Sequence, residues 1–217
     1  MAKTTRRRAR VAGGSTGQAA SNPRDAAVDA LMALLAEKRF GEIGLGDVAD
    51  RAGVSLADLR GLFDGKVAML GAFVERIDKA VLDGGSAEGD SERDRLFDVL
   101  MRRFEAMAPY RPAVKSLARS LRRDPALGCA MAMFADRSAA WMMAAAESSG
   151  GPLIRRVKRT GAAMAFAEAM RTWLDDEDPG LGKTMAVLDR ALRRGERMLG
   201  VIDDACAFVG SLRRGRD

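Results

Sequence analysis

The sequence predicts an all-α protein of about ten helices, a small three-helix head followed by a larger helical domain. Three observations carry that expectation. Apolar residues recur at helical spacing along most of the chain, and no stretch alternates convincingly with the period of a strand. Only 5% of the residues are aromatic, β-branched residues are few, and Ala, Leu, Met, Arg, Glu and Asp dominate. Glycines and prolines punctuate the periodic segments. A chain of 217 residues has ample length for a core. The divisions expected are a basic tail over residues 1–23, a head over 24–66 and a second domain over 67–217.

From Arg24 to Lys38, the residues Ala27, Val28, Leu31, Met32, Leu34 and Leu35 share one face, which makes an amphipathic helix. Gly41, Gly44 and Gly46 break it. Asp47 to Ala52 forms a short helix whose Val48, Ala49 and Ala52 can face the first, and Gly53 stands where a left-handed cap is needed. Ser55 then opens a third helix as its N-cap, with Asp58 three residues on completing a weaker capping box. Two short helices joined by a Gly-containing turn read as a helix-turn-helix, the arrangement whose second helix can enter a DNA major groove, although any small helical bundle has such corners.

A helix from about Lys66 to Leu82, with Leu70, Phe73, Val74, Ile77 and Val81 on one stripe, joins the head to the second domain. Gly84, Gly85 and Gly89 end it. Helices follow over Asp90–Ala108 and from Pro112 to Arg123. The next is capped by Asp124 with Pro125 in the first position, and stops near Gly150. The last three run from Pro152 to Leu174, from about Leu181 to Met198, and from Gly200 to about Leu212. Their inner faces are rich in methionine, whose adaptable shape suits either an ordinary core or a pocket for an irregular apolar ligand. The residues expected to line such a pocket are Met101, Phe104, Met107, Met131, Phe134, Trp141, Met164 and Met170. Its occupant would be an apolar small molecule or lipid.

Charge is unevenly placed. The chain carries 36 basic and 30 acidic side chains, a net charge of +6. Residues 1–24 hold Lys3, Arg6, Arg7, Arg8, Arg10 and Arg24 and no acid. That tail has almost no bulky apolar residue and is expected to be disordered in isolation. Arg6, Arg7 and Arg8 could enter a minor groove beside the reader helix, solubilise the chain, or meet anionic lipid. Over residues 25–80 the acids outnumber the bases, unlike a surface built to lie on phosphate.

The chain has no histidine, so imidazole-dependent nucleophile activation and metal ligation are excluded. No catalytic residues, metal site or cofactor is expected. Gly182-Lys183-Thr184 lacks the upstream glycine of a phosphate-binding loop, since Glu177 stands there. Asp175, Asp176, Glu177 and Asp178 read as an exposed loop rather than a magnesium site. Cys129 and Cys206 lie in apolar helical surroundings, which suggests a reducing cytoplasmic compartment. No run of apolar residues is long enough to be a transmembrane helix.

Phe40, Val48-Ala49, Ala52-Gly53-Val54-Ser55, Phe63, Lys66 and Leu70 resemble, in order and spacing, the N-terminal pattern of the TetR family of transcriptional regulators. The resemblance implies a homodimer on double-stranded operator DNA, paired through its last two long helices. It places Phe63 in the core, Lys66 near a phosphate, and Ser55, Leu56, Ala57, Asp58, Arg60 and Gly61 toward the groove. Two departures matter: Gly44 replaces a Thr or Ser that caps the second helix and touches phosphate, and Arg60 replaces a Tyr. Trp173, Asp176, Thr184, Met185, Leu188, Asp189 and Arg190 further resemble the ubiquinone-biosynthesis lipid-binding family of the same fold. That second resemblance implies a non-enzymatic lipid carrier with a degenerate head and peripheral membrane contact. A cationic-ended apolar face over residues 198–212 could serve either the dimer or a membrane surface.

Overall fold

The computed structural model describes residues 22–214, with side chains described as far as residue 200. Arg6, Arg7, Arg8 and the apolar face expected beyond Gly200, Cys206 included, therefore lie outside the described residues or side chains. The described chain forms nine α-helices and two short 3-10 turns, with no strand among them.

The head is built as the periodicity predicts. α1 (Pro23–Glu37) buries Ala27, Val28, Leu31, Met32, Leu34 and Leu35, and the Asn22 side chain caps it by accepting from the Arg24 N–H at 3.1 Å. A 3-10 turn (Phe40–Glu42) leads to α2 (Leu45–Ala52) and α3 (Leu56–Leu62). Between the last two, Gly53 takes φ 68° and ψ 31°, the left-handed region that costs an L side chain ~1–2 kcal/mol.

α4 (Lys66–Asp83) leaves the head and runs into the body. There follow α5 (Glu92–Met107), a 3-10 turn (Ala108–Tyr110), α6 (Arg111–Leu121), α7 (Pro125–Ala145), α8 (Pro152–Trp173) and α9 (Gly182–Arg214). Ser91 and Asp124 cap α5 and α7, accepting from the Asp94 and Leu127 N–H groups at 3.1 and 3.0 Å. One apolar core is continuous from Leu31 and Val48, through Leu70 and Ile77 of α4, to Phe104 and Trp173. Two hydroxyls also tie head to body. Ser116 Oγ donates to the Lys38 carbonyl at 3.0 Å, and Ser120 Oγ accepts from the Phe40 N–H at 3.3 Å.

The sequence reading expected a break before Gly200, but α9 passes through it, giving nine helices instead of ten. One glycine inside a helix costs only ~1 kcal/mol relative to alanine, which the flanking helical turns outweigh.

In the acidic loop between α8 and α9, Asp175, Glu177 and Asp178 are exposed as expected, and Asp176 is the exception. Asp176 is only 1% exposed. Its carboxylate accepts from the Thr184 N–H at 3.0 Å and from the Thr184 hydroxyl at 2.7 Å. Asp178 accepts from the Gly180 and Gly182 N–H groups, and Asp175 pairs with Lys115. Two of the four acids are thus ties within the corner, and a third, Asp175, reaches across to α6. Trp173, Asp176 and Thr184, which carry the lipid-family resemblance, are buried parts of that same corner.

The Thr184 hydroxyl holds the Asp176 carboxyl below the ordinary Asp range, against the opposing effect of burial. A lowered native pKa contributes stability that is complete above the unfolded value, ~3.9, and is lost as pH falls through the native value. Unfolding measured from neutral pH downward should therefore show less acid sensitivity in Asp176→Asn than in the unaltered chain.

Candidate DNA-binding head and effector cavity

At the start of α3, Ser55 Oγ accepts from the Asp58 N–H at 3.0 Å, and its hydroxyl donates to the Asp58 carboxylate at 2.6 Å. Asp58 is therefore turned back onto the cap, where its charge meets the positive end of the helix. Loss of the cap in Ser55→Ala should cost ~1 kcal/mol of stability by urea unfolding. Leu59 packs inward, while Leu56, Ala57, Arg60 and Gly61 are exposed. Arg60 pairs with Asp64 at 2.8 Å, with both side chains largely in solvent. An exposed i,i+4 pair is worth only ~0.5 kcal/mol, so this guanidinium is free to transfer to a phosphate.

Gly44 opens α2 without a side-chain cap. Its N–H instead donates to Asp47 at 2.9 Å, an interaction that holds the Asp47 carboxyl low, with Lys38 adding to the effect from 3.7 Å. The phosphate-touching hydroxyl of the TetR pattern is missing and a carboxylate stands nearby.

Lys66 opens α4, as the resemblance implies, with its side chain turned into the head. Its ammonium donates inward to the carbonyls of Phe40 and Ile43, at 2.8 and 2.5 Å, and lies 4.5 Å from the centroid of the Phe40 ring. Side chains at a helix start project back beyond its N-terminus, and here the 3-10 turn occupies that space. Burial lowers the Lys66 pKa, and Asp47 opposes that shift. Arg24 is likewise engaged. It donates to the Leu62 carbonyl at the end of α3, at 3.0 Å, and covers the Phe63 ring at 4.4 Å. These two cations lock the head together.

Behind the head, α4 to α8 line a partly open cavity of about 220 Å³. Leu70, Phe73 and Val74 of α4 line one side, with Met107, Met131 and Met170 among the residues opposite. The other expected pocket residues stand elsewhere. Phe104 is fully buried behind the wall, stacked on Phe166 at 4.6 Å and 5.6 Å from Trp173. Met101 packs half-buried against the core. Phe134 fills the α4–α7 crossing over Gly71, where an added Cβ would come 3.1 Å from its ring. Trp141 and Met164 are 59% and 68% exposed. Apolar residues populate more than one face of α7 and α8, so periodicity alone does not reveal which side turns inward.

Sequence reasoning missed the polar part of this cavity. Arg103 and Ser138 lie in its wall, and both donate to the buried Asp78 carboxylate of α4, the Ser138 hydroxyl at 2.6 Å. All three are less than 8% exposed. The guanidinium also lies 5.4 Å from the Phe166 ring centroid. Burial pulls the Arg103 pKa down, and the charge of Asp78 opposes that. A signal was present: Arg103 falls on the helical stripe of Leu96, Leu100 and Met107, where a charge needs a buried partner.

Among the described residues there is no cluster of three or more metal-ligating side chains, and no helix is long and apolar enough to cross a membrane. No family model and no curated protein matches the sequence. Solved structures do match. A TetR transcriptional regulator from Nitrosomonas europaea superposes with a TM-score of 0.64 at 22% identity, covering 81% of this chain and 99% of its own. One from Rhodococcus gives 0.56 at 21%, covering 80% and 95%. A TetR-family regulator from Streptomyces coelicolor gives 0.55 at 17%, covering 88% and 89%. From head to α9, the chain has the fold of the TetR transcriptional regulators.

Proposed function

We propose that the protein is a non-enzymatic transcriptional regulator that binds operator DNA as a homodimer and responds to an apolar small molecule. The observation that carries this is α4. Its first residue is bonded into the head at the 3-10 turn that precedes α2, while Leu70, Phe73 and Val74 further along it form cavity wall. A molecule that fills the cavity bears on the same helix that is bonded to the head through the 3-10 turn and packed on α1. Such coupling requires the effector to prefer one head spacing, since a ligand with equal affinity for both shifts nothing.

The groove-facing residues would be Leu56, Ala57, Arg60 and Gly61, held by the Ser55–Asp58 cap, with the arginines of residues 1–24 adding backbone affinity. Exposed Leu153, Val157 and Met164 of α8 and Trp141 of α7 form an apolar surface that a second copy would cover, with α9 beside it. Two heads in a dimer would then reach half-sites about one DNA turn, ~34–36 Å, apart. Binding of the full-length protein to a genomic fragment library tests the reading. Expected is selective enrichment of palindromic fragments with affinity falling steeply as salt rises. Absence of salt-sensitive duplex binding at low ionic strength would refute it.

A second reading, a lipid-binding protein with a degenerate head, is favoured by the inward turn of Lys66 and by the lack of a hydroxyl at Gly44. Native mass spectrometry of the purified protein separates it most simply: a retained isoprenoid together with indifference to DNA would support it.

A further inference from the structure

The cavity wall is apolar except for Arg103 and Ser138, and what those two groups offer limits what can bind. A guanidinium carries five N–H donors. Arg103 directs Nη1 to Asp78, and its Nε and Nη2 have no hydrogen-bond partner among the described residues. Ser138 spends its hydrogen on the same carboxylate. The wall therefore presents into the cavity donors that no protein acceptor occupies, which a ligand oxygen can take up.

Charge narrows the choice. Asp78 already balances Arg103, and both are buried. A ligand carboxylate would add a second anion to a paired site, and a ligand ammonium would sit against the guanidinium; either leaves a net charge out of water. An uncharged oxygen acceptor fills the vacant donor sites and leaves the balance intact. The void is small, about 220 Å³ against the ~300 Å³ at which ordinary small-molecule sites begin, and only partly closed, so it suits the body of a short apolar molecule.

We propose that the cavity selects small apolar molecules bearing one neutral carbonyl-type oxygen, and that Arg103 is the residue that reads this oxygen. The inference deepens the effector part of the proposed function, and it places the ligand's polar end beside Asp78 of α4.

The test uses the full chain without DNA and three probes of equal length: 2-nonanone, nonanoate and nonylammonium. Calorimetry should rank the ketone above both ions by roughly ten-fold or more. The infrared stretch of carbonyl-labelled 2-nonanone should move to lower wavenumber on binding, as a guanidinium hydrogen bond requires. Both readings are made on the unaltered protein. In Asp78→Leu/Arg103→Met, which removes both charges together, ketone affinity should fall roughly ten-fold and the stretch should stay at its apolar-solvent position. Equal or tighter binding of either ion, an unshifted stretch in the unaltered protein, or undiminished ketone binding by the double variant would overturn the inference. A chain that binds 2-nonanone in this way yet ignores every duplex would keep the carbonyl site and refute the regulator. Selective duplex binding with no carbonyl preference would do the reverse.

Discussion

Replacing Asp78 with alanine is expected to destabilise the protein by ~3–5 kcal/mol, because it leaves the Arg103 guanidinium buried without its counter-charge. The loss reflects an uncompensated charge more than the net worth of the pair. Asp78→Leu/Arg103→Met, which removes both ions and fills the space with apolar groups, should consequently recover most of the stability. Urea unfolding of the three proteins measures the difference directly. If the single variant lost under ~1 kcal/mol, Arg103 would have water or another acceptor within reach, and the tight cluster of Asp78, Arg103 and Ser138 would be wrong. The position also bears on the proposed effector response, since Asp78 is on α4 and Arg103 is in the cavity wall.

Phe104→Ala is the second large effect, at ~3–5 kcal/mol for a fully buried phenylalanine. Its ring stacks on Phe166 and touches the aromatic group around Trp173, so truncation opens a void at the junction of α5 with α8. Trp141→Ala and Met164→Ala provide the contrast. Both side chains are mostly exposed, and the stability of a single subunit should change by no more than ~0.5 kcal/mol. Their cost should instead appear in dimer dissociation, measured by sedimentation across a dilution series. The contrast separates residues that the sequence grouped together as one methionine-rich lining.

The difference between those residues shows what periodicity can and cannot reveal. In α1 and α4 the apolar positions occupy one stripe, and the faces expected from the sequence are the faces that pack. The caps at Ser55 and Asp124 and the left-handed turn at Gly53 were legible for a local reason: each is dictated by a residue type at a fixed offset from its helix. α7 and α8 gave no such guidance, because Ala and Met surround them and the choice of inner face depends on neighbours distant in sequence. Gly200 was misleading in the opposite sense, a local signal overruled by the helix around it. Lys66 and Asp176 were beyond local rules. What each bonds depends on where the 3-10 turn and the α8–α9 corner lie in space. The polar cluster of the cavity joins residues of α4, α5 and α7, and only its presence on apolar stripes was written in the chain.

In the proposed regulator α3 reads DNA sequence despite an acid-rich head in which Lys66 and Arg24 are already bonded. The most direct measurement compares the full chain with a chain lacking residues 1–21, each selected against a genomic fragment library across a salt series. Both should enrich the same fragments, the shorter chain with lower affinity and a shallower salt slope because the cations of Arg6, Arg7, Arg8 and Arg10 are gone. Binding that disappears with the tail, or that remains without sequence preference in both chains, would contradict that reading.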